Sequence, residues 1–115
     1  MIQSQKTIDA TARVRYLNDL LRKTGIGGQI VMAPGIASLE ATSTAEIAAA
    51  VAAFDAFDAD NDPYGEHDCA CLQVGENRVI WKIDYYDLSL RAHSPDKSDA
   101  AVTRRVLTIV LATEY

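Results

Sequence analysis

The stretch that most constrains the fold is Arg78-Val79-Ile80-Trp81-Lys82-Ile83-Asp84-Tyr85, which alternates apolar and polar residues at the period of a strand. Val79, Trp81, Ile83 and Tyr85 fall on one side of it, and Ile80, Lys82, Asp84 and Tyr86 on the other. The first side is the expected core face. Upstream lie the turn Gly75-Glu76-Asn77 and a second run, Asp68-Cys69-Ala70-Cys71-Leu72-Gln73-Val74, so the pair reads as a β-hairpin.

Helical periodicity brackets this hairpin. Ala10, Val14, Leu17 and Leu21 recur at helical spacing with Tyr16 and Leu20 beside them, and Gly25, Gly27 and Gly28 stop the pattern, which predicts a helix over residues 8–24. Gln29-Ile30-Val31-Met32 is a short β-branched run closed by Pro34-Gly35, hence a strand. Ser43 with Glu46 three residues on has the form of a capping box and predicts a helix from there to Phe57, with Ile47, Ala50, Val51, Phe54 and Phe57 along one face. A short strand at Leu88–Arg91 is a weaker expectation. Pro95 and Asp96, or Ser98, are expected to open a last helix carrying Val102, Val106, Ile109 and Val110 as its stripe.

The predicted order is therefore α-β-α-β-β-α, an α+β fold with a small antiparallel or mixed sheet of three or four strands packed with three helices. At 115 residues with 49% apolar content, a single globular domain over 1–115 is expected. The longest apolar run, Ile47 to Phe54, falls far short of the roughly 20 residues that cross a bilayer, so no membrane span is expected. Met1-Ile2-Gln3-Ser4-Gln5-Lys6 lacks the order of a secretory signal, and Cys69 and Cys71 are too close for an unstrained mutual disulfide, so the expected compartment is the reducing cytoplasm.

Charge is unevenly spread. Residues 1–23 hold five basic and two acidic groups, residues 24–77 nine acidic and no basic groups, and residues 78–115 six basic and five acidic. Six of the nine acids crowd into Asp55, Asp58, Asp60, Asp62, Glu66 and Asp68, within a stretch rich in turn-forming residues. Such a segment repels phosphate, which makes nucleic acid an unlikely direct partner there. A nucleic-acid interface built from Arg13, Arg22, Lys23, Arg104 and Arg105 requires those five on one surface.

Candidate chemistry is thin. Asp58, Asp60 and Asp62 match the first three ligand positions of a calcium loop, but Pro63 stands at the sixth position and Cys69 at the twelfth. His67 beside Glu66 and Asp68 is a candidate ligand or general base, and equally a hydrogen-bonding loop residue. Cys69, Cys71, His67 and His93 lack the spacing of a zinc knuckle. Ile80 stands where a restriction-type nuclease needs an acid two residues before Lys82, and Gly25-Ile26-Gly27-Gly28 precedes a strand rather than a phosphate-binding helix. No catalytic residue, metal or cofactor is assigned.

Four motifs, Phe54-Asp55-Ala56-Phe57, the run from Asp60 to Asp68, Trp81-Lys82-Ile83-Asp84-Tyr85-Tyr86-Asp87, and the run from Thr103 to Ile109, resemble a bacterial family catalogued as domain of unknown function 3768. The resemblance runs from Arg13 to Tyr115 and departs from the family pattern at Cys69 and Cys71. It implies no established activity; its members look like cargo of plasmids and other mobile elements.

Two functions are consistent with these residues. The first is an acidic protein-interaction domain, of the anti-CRISPR or anti-restriction type, docking on the cationic surface of a nucleic-acid-handling protein through Asp55, Asp58, Asp60, Asp62, Glu66, His67 and Asp68, with Lys82, Asp84 and Tyr86 as an adjoining recognition face. The second is a small hydrolytic or metal-ion-assisted enzyme using the acidic loop 58–68. The first is preferred, and an enzyme is the less favoured class.

Overall fold

A computed structural model describes the backbone of residues 2–115 and the side chains from Ala10 onward. The Met1–Lys6 stretch read above for a secretory signal lies outside the described side chains. The elements are α1 (Ile2–Thr24), β1 (Gly28–Met32), α2 (Pro34–Ala37), α3 (Ala41–Ala53), β2 (Cys69–Val74), β3 (Asn77–Tyr86) and β4 (Arg104–Leu111), with short 3-10 turns at Ala100–Val102 and Ala112–Glu114. The four strands form one mixed sheet in the order β1-β4-β3-β2. The β2–β3 and β3–β4 pairs are antiparallel and the β1–β4 pair is parallel. The class is α+β, as expected from sequence, with three helices and a four-stranded sheet.

The hairpin forms as its alternation dictates. Gly75, with φ +58°, takes the first of the two turn positions between β2 and β3, where a positive φ is needed to match the twist of the strands. Val79, Trp81 and Ile83 are buried, and they join Leu107 and Ile109 of β4 against Leu21 of α1, Ile36 of α2 and Ile47 and Val51 of α3. All three helices therefore contribute to one face of the sheet. The other face presents Cys69, Cys71, Lys82, Asp84 and Thr108 and, among the described residues, has no α-helix packed over it.

The clearest departure from the sequence reading is the C-terminal segment. Residues 104–111 form the strand β4, not a helix, and they lie between β1 and β3. Arg-Arg-Val-Leu-Thr-Ile-Val-Leu ends in a near-continuous apolar run, with Val106 and Val110 on the uncovered face alternating with the buried Leu107 and Ile109, so no polar alternation marks the strand and helical spacing arises by accident. Its β-branched content was the signal that should have decided the matter.

Smaller departures have local causes. Residues Pro34–Ala37 form a short helix rather than a plain turn. Helix α3 starts at Ala41, two residues before Ser43, with Glu40 as N-cap and no side-chain cap, so the Ser43–Glu46 capping box does not form. It stops at Ala53, because Phe54 turns out of the helix (ψ 129°) and Arg22 of α1 supplies donors to the carbonyls at its end. Leu88–Arg91 is a bend rather than a strand. Asp87 Oδ1 accepts from Ser89 Oγ (2.8 Å) and the Arg91 N–H (3.1 Å), and the chain returns so that His93 bridges Tyr86. Among the described residues no helix is long and apolar enough to cross a membrane.

Candidate functional site: an acidic loop clasped to the first helix

The segment between α3 and β2 carries seven of the ten residues singled out above, and short polar side chains build it from within. Asp58 Oδ1 accepts from the N–H groups of Asp60 and Asn61, both at 2.9 Å. Asn61 closes the turn by accepting from Asp58 N–H (2.8 Å) and donating to Ala56 O (2.9 Å). Asp62 is buried, and its Oδ1 accepts from the N–H groups of Glu66 and His67, each at 3.1 Å. Asp58 and Asp62 thus serve as caps for their own loop. Among the described residues no group of three or more His, Cys, Asp or Glu side chains is placed to hold a metal ion.

Helix α1 then grips the loop. Arg15 donates to Gly65 O (2.8 Å), and Asn18 donates to Glu66 O (3.0 Å) and to the Tyr85 hydroxyl (2.7 Å). His67 Nδ1–H donates to Asp19 Oδ1 at 2.9 Å, while its Nε2 lies 3.6 Å from Asp62 Oδ2. Its ring stacks on Phe57 with centroids 3.8 Å apart, and its backbone sits at φ +53°, a conformation that His tolerates better than most residues. Arg22 lies one turn further along. Its Nη1 donates to the carbonyls of Val51 (2.8 Å), Ala52 (3.0 Å) and Phe54 (2.8 Å), its Nη2 pairs with Asp19 (3.0 Å), and the guanidinium lies over the rings of Phe57 and Trp81. A cation at those last carbonyls also opposes the negative end of the α3 dipole.

Sequence reading missed these residues as a set, although a signal was present. Arg15, Asn18, Asp19 and Arg22 recur at i, i+3, i+4 and i+7, a polar stripe beside the apolar one. Asn18 and Arg22 are as buried as Val14 and Leu21. The network continues to β4, where Arg105 Nε donates to Asn18 Oδ1 (3.0 Å) and Nη2 donates to Lys97 O. Burial holds the Tyr85 hydroxyl well above its ordinary range, at about 12.

The remaining predicted residues divide. Asp55, Asp58 and Asp60 are exposed on the loop, as is Tyr64, which is 79% exposed and lies within the motif from Asp60 to Asp68. Glu66 is paired with Lys97 (2.7 Å). Asp68 has its pKa raised, chiefly by burial and then by the Glu66 charge. It meets Lys82 and Asp84, themselves paired at 3.4 Å, around a hollow of about 400 Å³ on the uncovered face, with Cys69, Cys71 and Tyr115 beside them. Burial raises the Cys69 thiol as well. Tyr86 is the last residue of β3, two positions beyond Asp84 on the same face and opposite Arg104, and it does not line that hollow. Of the five basic residues considered for nucleic acid, Arg22 and Arg105 are buried, so the five do not make one surface.

In comparisons with known proteins, the family described as "Protein of unknown function (DUF3768)" matches residues 32–114, which includes the whole loop and strands β2, β3 and β4 but leaves α1 and all of β1 except Met32 outside. No curated protein and no solved structure matches.

Proposed function

The chain belongs to the DUF3768 family, and we propose that it is an acidic protein-interaction domain whose loop docks on the cationic surface of a nucleic-acid-handling protein. The observation that carries this reading is the division of labour inside the loop. Asp62, Glu66 and His67 hold its shape, Asp58 both caps the turn through Oδ1 and stands exposed, and Asp55, Asp60 and Tyr64 stand outward on a backbone that is already ordered. A pre-ordered loop loses little entropy on binding. Outward carboxylates steer it toward positive charge, and an exposed tyrosine offers a large contact with a polar tip. Asp68, Lys82 and Asp84 extend the same reading onto the sheet. The setting that fits is cytoplasmic counter-defence by mobile-element cargo, of the anti-CRISPR or anti-restriction kind, where carboxylates stand in for phosphate charge.

The hydrolytic alternative draws on the same residues, but both ring nitrogens of His67 face carboxylates and one ring face is covered by Phe57, which leaves the imidazole engaged in holding the loop. The test is capture of purified nucleases and other DNA-binding host proteins on the immobilised domain across a salt series. The expected result is a complex that weakens steeply with salt, is lost on combined Asp55→Asn, Asp58→Asn and Asp60→Asn, and is weakened by Tyr64→Ala. A complex indifferent to salt and to those changes overturns the reading.

A further inference from the structure

Strand β1 ends the sheet on one side, and its free edge is uncharged and apolar. The Ala33 N–H donates to Ile109 O (2.9 Å), which fixes the alternation along β1. Gln29 and Val31 turn their backbone groups toward β4, and Gly28, Ile30 and Met32 turn theirs outward. Ile30 and Val31 are 42% and 44% exposed there, and Ile26, in the turn before the strand, is 61% exposed. Edge strands of soluble proteins are ordinarily blunted by charge, proline or a bulge. Gly28-Gln29-Ile30-Val31-Met32 carries none of these.

We infer that this edge is a self-association surface, on which β1 of a second copy pairs antiparallel about a two-fold axis through Ile30, extending the sheet to eight strands. That register gives every outward group a mate. Gly28 exchanges hydrogen bonds with Met32 of the second copy, and Ile30 with its own counterpart. Gln29 then lies opposite Val31 of the second copy, and the two Ile30 side chains cover each other on the helix side of the sheet.

Charge at the two ends agrees with this arrangement. The Gly28 end adjoins the exposed Lys23 and Arg104, whereas the Met32 end adjoins Glu114, whose carboxylate accepts from the Gly35 N–H at 2.8 Å. Antiparallel pairing brings the basic end of one copy to the acidic end of the other, twice over. The opposite edge lacks this match. On β2 the outward backbone groups are those of Cys69, Cys71 and Gln73, because the Ile83 N–H donates to Asp68 O. β2 is flanked by an acid at each end, Asp68 on one side and Glu76 on the other, so antiparallel self-pairing there brings acid toward acid.

A ladder this short buries less than the ~1,200 Å² at which specific interfaces become firm, so the dimer is weak and concentration-dependent. The experiment is sedimentation equilibrium of the full chain up to about 1 mM, with far-UV circular dichroism on every variant to show that it is folded. The expected result is a reversible rise toward twice the 12.5 kDa of one chain, abolished by Ile30→Lys and unaffected by Cys71→Lys. In a Cys69→Ser, Cys71→Ser background, Ile30→Cys is expected to form a covalent dimer on mild oxidation, because a hydrogen-bonded pair has Cα atoms about 5.5 Å apart. Val31→Cys, which faces Gln29 instead of itself, is expected to cross-link far less. A chain that stays monomeric throughout, a dimer broken by Cys71→Lys instead of Ile30→Lys, or equal cross-linking at positions 30 and 31 overturns the proposal.

Discussion

The acidic loop and the β1 edge reverse the usual association of polarity with looseness and of hydrophobicity with burial. Residues 54–68 hold the densest run of negative charge in the chain, yet their backbone is held by Asp58, Asn61 and Asp62 from within and by Arg15 and Asn18 from α1, with Asp19 holding the His67 ring. β1 is short and apolar, and it leaves Ile30 and Val31 exposed beside outward backbone groups. The difference teaches that order at a surface depends on whether each N–H and C=O has a partner, and not on how many charges lie nearby.

The sharpest way to break that contrast is Arg22→Ala. It removes the donors to three carbonyls at the end of α3 together with the partner of Asp19, and a loss of about 3–5 kcal/mol in denaturant unfolding is expected. A loss below about 1 kcal/mol shows that the clasp is ornamental. Asp62→Ala leaves the Glu66 and His67 N–H groups without their acceptor; about 1–3 kcal/mol and faster proteolysis within 58–66 are expected.

The same clasp predicts an alkaline limit. The Tyr85 hydroxyl, held by Asn18 and raised to about 12, contributes stability that is complete below pH ~10, the unfolded value, and is lost as pH rises toward 12. With allowance for partial solvent screening this amounts to about 1–2 kcal/mol, read as the difference between the parent and Tyr85→Phe in unfolding at pH 9 and pH 11.5. The smallest effect belongs to the other region. Ile30→Lys is expected to change the stability of the isolated chain by no more than about 1 kcal/mol in dilute solution, because the side chain is partly in water there. A large loss at that position places Ile30 in the core and removes the contrast between the regions.

Local patterns made much of the architecture readable. Alternation from Val79 to Tyr85 specified β3 and its buried side, and the glycines after Lys23 marked the end of α1. The segment 104–111 was misread because a central strand is apolar on both faces, so its period cannot be separated from that of a buried helix. In the site, the acidic residues were visible as a cluster, but their roles were not. Asp62 and Asp58 look alike in sequence and both cap backbone N–H groups, and only burial distinguishes the enclosed carboxylate of Asp62 from the exposed one of Asp58. Asp19 was overlooked for a related reason: 48 residues separate it from His67 along the chain.

Sequence alone determined the fold class, the hairpin, the first helix and the concentration of negative charge in the middle of the chain, since each depends on neighbours within a few residues. Tertiary structure decided which carboxylates are consumed by the backbone, that β4 lies at the centre of the sheet, and that β1 is left at its rim. Those outcomes depend on which distant groups meet, and hydrogen bonds between residues far apart leave no period in a sequence.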